Sequence, residues 1–217
     1  MKKYDTILFD LDGTLTDSGL GIANAVLYAL DKYGIPQGDV DSSQFVGPPL
    51  RESFKRFYGF SDEKAEEAVT IAREYYTATG VFENTPYEGV YEMLDALKAS
   101  GKRLLMATAK PDLYTDMVVD KFDLRKYFEY FGTATMDGSR VHKDVIIKMV
   151  LDDCDVTDVE HAIMIGDRGS DITGASAYGL DSIGVLYGYG TREELEKAGA
   201  TYLAETTADV VKLLLGE

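Results

Sequence analysis

The 217-residue sequence has no tryptophan, one cysteine, two histidines and five prolines. The solitary Cys154 excludes an internal disulfide framework and fits a reducing, cytoplasmic setting. No apolar run approaches the ~18 residues of a membrane span. The stretch Ile7-Leu8-Phe9 behind Met1-Lys2-Lys3 is cut by Asp10 and Asp12, well short of the roughly 7–15 apolar residues of a signal peptide, so export is not expected. Positive charge is also scarce: 22 Lys and Arg stand against 38 Asp and Glu, a formal balance of −16. Such a surface repels nucleic-acid backbones and anionic lipid, which removes polymeric nucleic acid and membranes from the expected partners. A small anionic substrate would have to be held by a few placed Lys or Arg, by helix N-termini or by a divalent cation. Repeats and low-complexity tracts are absent. The length accommodates one large domain, or a main domain with an insertion of well under ~100 residues, and needs no staple in order to fold.

Against these absences stand short, continuous apolar runs that end in Asp, Thr or Gly: Ile7-Leu8-Phe9, Leu104-Leu105-Met106-Ala107, Ala162-Ile163-Met164-Ile165 and Ile183-Gly184-Val185-Leu186. Continuous rather than alternating hydrophobicity marks strands covered on both faces. Amphipathic patterns separate them, with Val90, Met93, Leu94 and Leu97 at helical spacing, then Ile146, Met149 and Val150. Thr191-Arg192-Glu193-Glu194 reads as a capping box for a helix that Gly199 ends. The fold class is therefore α/β, a doubly wound parallel sheet with a Rossmann-like core. The span from Phe9 to Leu104 is far too long for one crossover and carries hardly any strand signal. It reads helical from about Leu20 to Tyr33, and again after Ser61 to about Tyr76, with Asn84-Thr85-Pro86 as a return hinge. This predicts an inserted helical cap over residues 18–82, and a core made of 1–17 plus 83–217.

Chemistry is concentrated at strand ends. Phe9-Asp10-Leu11-Asp12-Gly13 places two carboxylates two residues apart where open α/β sheets bind ligands. Gly166-Asp167-Arg168-Gly169-Ser170-Asp171 adds a second acidic pair at another strand end. Two carboxylates ~4 Å apart repel by about 4 kcal/mol at an effective dielectric near 20, so crowding three or four of them demands a cation. Oxygen-only ligation points to Mg²⁺. Thr108, which ends a strand, and Lys143, which starts a helix, supply a hydroxyl and an ammonium suited to phosphoryl oxygens.

In order, Asp10 to Ser18, Thr108, Lys143 and Gly166 to Asp171 resemble the four motifs of the haloacid dehalogenase-like phosphohydrolase superfamily. Within it the chain is similar to the phosphoglycolate phosphatase group, and to its 5′-nucleotidase-like branch through Phe45-Val46-Gly47-Pro48-Pro49-Leu50, Lys143-Asp144-Val145-Ile146 and Gly184 to Gly190. Two positions depart from the commoner pattern: Ala109 stands where Asn or Ser follows the motif Thr, and no Pro follows Lys143. The resemblance implies a Mg²⁺-dependent phosphomonoester hydrolase acting through an aspartyl-phosphate. Asp10 is then the nucleophile, Asp12 the acid and base, and Thr108 and Lys143 the phosphoryl clamp. Phosphate binding falls to Leu11, Asp12, Thr108, Ala109 and Lys143, and the metal to Asp10, the Asp12 carbonyl, Asp167 and Asp171.

The implied substrate is a small phosphorylated metabolite, with nucleoside 5′-monophosphates and 2-phosphoglycolate leading. Its choice would rest with the cap, where Gly47 and Arg51 are candidates, although Arg51 reads equally as a solvated helix-start charge. The orientation of Gly21 and Asn24 stays open, His142 and His161 read as structural, and Gly188-Tyr189-Gly190 reads as a plain loop. A dehalogenase is disfavoured because Asp12 supplies an acid that its leaving group does not need. A sugar phosphomutase on the same scaffold and a phospho-receiver switch are the alternatives. Thr14 and the cap lean to phosphatase, while the length and the helical insertion disfavour a receiver. Monomer and homodimer are both open.

Overall fold

The computed structural model describes residues 3–36, 44–46 and 48–216. Its chain forms two compact units, Met1–Thr16 with Pro86–Glu217, and Asp17–Thr85. The crossings between them are the short strands β2 (Thr16–Asp17) and β3 (Thr85–Pro86), which pair with each other.

The larger unit is built on a six-stranded sheet of β1 (Thr6–Phe9), β4 (Arg103–Pro111), β5 (Tyr130–Ala134), β6 (Ala162–Gly166), β7 (Asp181–Val185) and β8 (Tyr202–Ala204). Its spatial order is β5-β4-β1-β6-β7-β8, and every pairing is parallel. All four residues of β1 are buried, as a continuous apolar run requires of a strand covered on both faces. On one face Leu8, Leu105, Ala107 and Met164 pack with Ile146, Ile147 and Val150 of α6 (Lys143–Asp153) and Ala175 of α7 (Gly169–Ser176). The alternate residues Ile7, Phe9, Leu104, Met106, Ile163 and Ile165 are equally buried, so the opposite face is covered too. The remaining helices of this unit are α4 (Val90–Ala99), α5 (Asp112–Lys121), α8 (Arg192–Ala198) and α9 (Thr207–Leu215). Thr191 and Thr206 each accept a hydrogen bond from the backbone N–H three residues on, at the starts of α8 and α9.

The strand register positions the chemistry. Phe9 lies level with Met106 on one side and with Ile165 on the other. Residues just past these levels therefore emerge side by side on strands ~4.8 Å apart. The chain passes from β1 to β4 and β5 on one flank and then crosses to β6, β7 and β8 on the other, so the edge between β1 and its two neighbours is a topological switch point.

The smaller unit contains α1 (Gly19–Lys32), α2 (Leu50–Tyr58) and α3 (Asp62–Ala78), with Ser61 Oγ accepting from Lys64 N at the start of α3. Phe45, Phe54, Tyr58 and Phe60 form its aromatic core, with Phe54 and Phe60 stacked at 5.7 Å. Gly21 is fixed by close approach: a Cβ there would lie 1.9 Å from the Gly80 carbonyl oxygen. Asn24 Nδ2 donates to Glu83 Oε2 at 3.0 Å. Both residues thus face the end of their own unit's chain path. Among the described residues no helix is long and apolar enough to cross a membrane.

Candidate active site

At the carboxyl end of β1, Asp10 N donates to Ile165 O across the strand gap at 2.9 Å. The backbone then turns back on itself. Leu11 O accepts from Leu15 N at 2.9 Å and Thr16 N at 3.0 Å, and Gly13 adopts φ +85°, where a side chain is strained. A Cβ on Gly13 would also meet Asp167 Oδ2 at 2.2 Å, so glycine is required both for the turn and for the approach of the second acidic loop.

Asp10, Asp167 and Asp171 converge: one carboxylate oxygen from each lies within 4.8 Å of the others, and all three residues are buried. Lys143, at the start of α6, enters the same space with its side chain 4% exposed. Its Nζ donates to Ala107 O at 3.0 Å and stands 2.8 Å from both Asp10 Oδ1 and Asp171 Oδ1. These are ion-pair distances, but neither carboxylate oxygen receives a directed hydrogen bond. Three buried carboxylates against one buried ammonium leave a formal balance of −2.

The titration behaviour reflects that imbalance. Burial, followed by the charges of Asp171 and Asp10, holds the Asp167 carboxyl well above the ordinary range. Burial pushes Asp171 up to about 6, with Lys143 opposing the shift. For Lys143, burial alone would lower the value, but Asp10 and Asp171 together outweigh it and raise the ammonium above the ordinary lysine range. All-oxygen donors, two carboxylate oxygens without directed partners and a −2 balance fit a hard divalent cation. Asp10, Asp167 and Asp171 are the residues that could hold it.

Asp12 does not join this cluster. Its two oxygens take bonds from Lys110 Nζ, at 3.0 and 2.8 Å, and the Lys110 side chain is 3% exposed. Thr108 is buried within β4 and accepts from Lys110 N at 3.2 Å, while Ala109 packs against the hydrophobic core. Gly47 lies outside the described residues. Arg51 lies in the smaller unit, where it pairs with Asp62 at 2.9 Å and Glu66 at 3.5 Å and so links α2 to α3. His142 is the residue before α6, and the His161 ring bonds Asp158 at 2.8 Å.

Sequence reasoning missed Lys110, although its position two residues after Thr108 puts both side chains on one side of an extended strand. It also read Gly188-Tyr189-Gly190 as a plain loop. In the structure Tyr189 N donates to Asp167 Oδ2 at 2.8 Å. A Cβ on Gly188 would lie 2.4 Å from Asp167 Cβ, and one on Gly190 would lie 1.8 Å from Asp167 O. Tyr187 OH donates to Thr14 O at 3.1 Å, and its ring packs edge-on against Tyr87 at 5.1 Å. The segment after β7 therefore braces both acidic loops; the two glycines flanking an aromatic were the available signal.

The family model for haloacid dehalogenase-like hydrolase matches residues 7–185. A protein of Pseudomonas aeruginosa named 5′-nucleotidase is 39% identical over 213 residues, covering 98% of this chain and 96% of that relative. A protein of Mycobacterium tuberculosis named tyrosine-protein kinase PtkA is 35% identical over 213 residues, covering 97% of this chain and 72% of the relative. The crystal structure of a predicted phosphatase from Clostridium acetobutylicum superposes with a TM-score of 0.93 at 40% identity, over 99% of this chain and 100% of that one. With these matches, and with acidic loops meeting at the switch point of a parallel sheet, the chain belongs to the haloacid dehalogenase-like hydrolases and is an enzyme of their phosphatase type.

Proposed function

We propose that the protein is a Mg²⁺-dependent phosphomonoester hydrolase that works through an aspartyl-phosphate on Asp10, with nucleoside 5′-monophosphates as its leading substrates. The convergence of Asp10, Asp167 and Asp171 around Lys143 carries this reading. The 39% identity to a protein named 5′-nucleotidase supports the substrate class, and 2-phosphoglycolate is the next candidate. A carboxylate oxygen of Asp10 attacks phosphorus, the ester P–O bond breaks, and Asp12 gives its proton to the departing alkoxide. Water then attacks the same phosphorus, Asp12 takes its proton, and the bond to Asp10 breaks to release phosphate. Thr108 and Lys143 hold the phosphoryl oxygens in transfer. Mg²⁺, held by Asp10, Asp167 and Asp171, would supply charge neutralisation for the phosphoryl group. The deciding experiment is turnover of a metabolite panel ranked by kcat/KM, with and without Mg²⁺. Many turnovers per enzyme are expected, with nucleoside monophosphates first; a single stoichiometric phosphorylation would overturn the hydrolase reading.

Metal dependence has a pH signature in the metal-free protein. Asp167 and Asp171 have raised values in the fold, so the native state binds protons more tightly than the unfolded chain does. Metal-free stability then falls as pH rises from the ordinary carboxylate value of about 4 through about 6 and beyond. The rise in Tm on adding Mg²⁺ should therefore be larger at pH 7.5 than at pH 5. A Mg²⁺-induced shift that stays constant or shrinks across that interval would contradict the metal assignment.

Lys110 gives a second test. Without it the Asp12 carboxylate loses the buried ammonium that bonds both of its oxygens. In Lys110→Met, kcat/KM for alkyl phosphates should fall about 100-fold, the scale of general acid catalysis. For p-nitrophenyl phosphate, whose leaving group needs little protonation, the fall should be about tenfold or less. Equal losses for both ester types would remove Asp12 from the acid role.

A further inference from the structure

The capping box at the start of α8 is only half formed as a capping box. Thr191 Oγ1 accepts from Glu194 N at 3.1 Å, but the Glu194 carboxylate does not return to the helix N-terminus in the usual way. It leaves α8 instead. Glu194 Oε1 accepts from Gly169 N at 2.7 Å and from Arg168 Nε at 3.0 Å. Those two residues lie between Asp167 and Asp171, and Arg168 N in turn donates to Asp171 Oδ2 at 3.0 Å. A single oxygen thus pins the backbone and the side chain of the loop that joins two of the three clustered carboxylates. Gly169 faces Glu194 closely, since a Cβ there would stand 3.4 Å from Glu194 Cγ.

We infer that Glu194 is a positioning residue of the cation site: it fixes the Asp167–Asp171 loop so that both carboxylates are held ready for the metal. The inference rests on the Mg²⁺ reading above. Glu194 is outside the cluster of Asp10, Asp167 and Asp171, and its side chain is 33% exposed. Its contribution is to pre-organisation. Without the anchor, the loop must be ordered at the moment of binding, and outer-shell partners of this kind are worth about 10–100-fold in metal affinity. Arg168 makes the loss more consequential, because a guanidinium released from Glu194 becomes a local competitor for the same carboxylates.

Three variants separate reach from charge. Glu194→Asp keeps the charge but draws the carboxylate back by one methylene. Glu194→Gln keeps an oxygen in place but removes the charge, and Glu194→Ala removes both. Mg²⁺ dissociation constants would be measured by titration calorimetry on the whole protein, and checked by the Mg²⁺ concentration that half-restores Tm and activity. The Asp and Ala variants should bind Mg²⁺ about 10–100-fold more weakly, with kcat at saturating Mg²⁺ within about twofold of the parent. Gln should stay within about threefold of the parent in affinity. Parent-like affinity in the Asp variant would overturn the inference, and so would a Gln variant as weak as Ala, which would assign the effect to charge alone. If the unsubstituted protein binds no Mg²⁺, the metal reading itself fails, an outcome distinct from either.

Discussion

Asp10→Asn will give a folded protein that does not turn over, with kcat reduced by about 10⁴-fold or more, as when the nucleophile of a catalytic unit is removed. The change costs almost no volume and leaves the strand bond from residue 10 N to Ile165 O untouched. It also takes one charge from a cluster that carries three carboxylates against one ammonium, so the imbalance falls from −2 to −1. The Tm of the metal-free variant should therefore not drop, whereas its response to Mg²⁺ should weaken. Acid-quenched reactions with labelled substrate should show a phosphoenzyme in the parent and none in the variant. Residual turnover above about one part in 10⁴ in a clean preparation, or trapped phosphate in the variant, would place the nucleophile elsewhere.

The sheet and its acidic edge were legible because they depend on patterns that tertiary context rarely overrides. Continuous apolar runs stopping at Asp10, Thr108 and Asp167 mark buried parallel strands, and the register that brings those stops together follows from strand geometry. Strand β5 was missed because Tyr130 and Gly132 dilute its apolar pattern. Gly132 is there for α6, since a Cβ would sit 2.2 Å from Val150 Cγ2. Strand β8 is a three-residue edge, shorter than periodicity can reveal. Helix α8 was found by its Thr191 cap and its Gly199 stop, but the destination of the Glu194 side chain lay outside any local rule. The same limit hid Lys110 and the loop after β7. Their importance comes from contacts across sequence separations of 98 residues for Lys110 with Asp12, and 22 for Tyr189 with Asp167. Arg51, which reads equally as a ligand contact and as a solvated helix-start charge, pairs with Asp62 and Glu66 of the neighbouring helix. The receiver alternative fails on the family match over residues 7–185, which includes the helical insertion.

Lys143→Met should be the most damaging single change for stability and activity together. Methionine approximates the length and volume of the lysine stem, so the cavity term is small and the electrostatic one is isolated. In the parent, the ammonium holds Asp10 and Asp171 at 2.8 Å each and is itself raised above the ordinary lysine range by them. Its removal takes away the buried ammonium that opposes the three carboxylates, and breaking a buried pair in this way costs about 3–5 kcal/mol. At roughly 2–4 °C per kcal/mol for a domain of this size, the metal-free variant should melt about 6–20 °C below the parent at pH 7.5. Protonation relieves the repulsion, so the gap should narrow at pH 5, in the direction set by the raised values of Asp167 and Asp171. Mg²⁺ should likewise recover part of the lost Tm, because a cation that binds only the native state stabilises it by mass action. Activity should not return with it: on the proposed role of Lys143 as phosphoryl clamp, kcat/KM is expected to stay about 10³-fold down at saturating Mg²⁺. Thermal melts across pH 5–8 with and without Mg²⁺, set beside kcat/KM under the same conditions, separate the two effects. A metal-free variant as stable as the parent at pH 7.5 would mean that these carboxylates do not share one charged site, and the assignment of Lys143 as their counter-ion would fall.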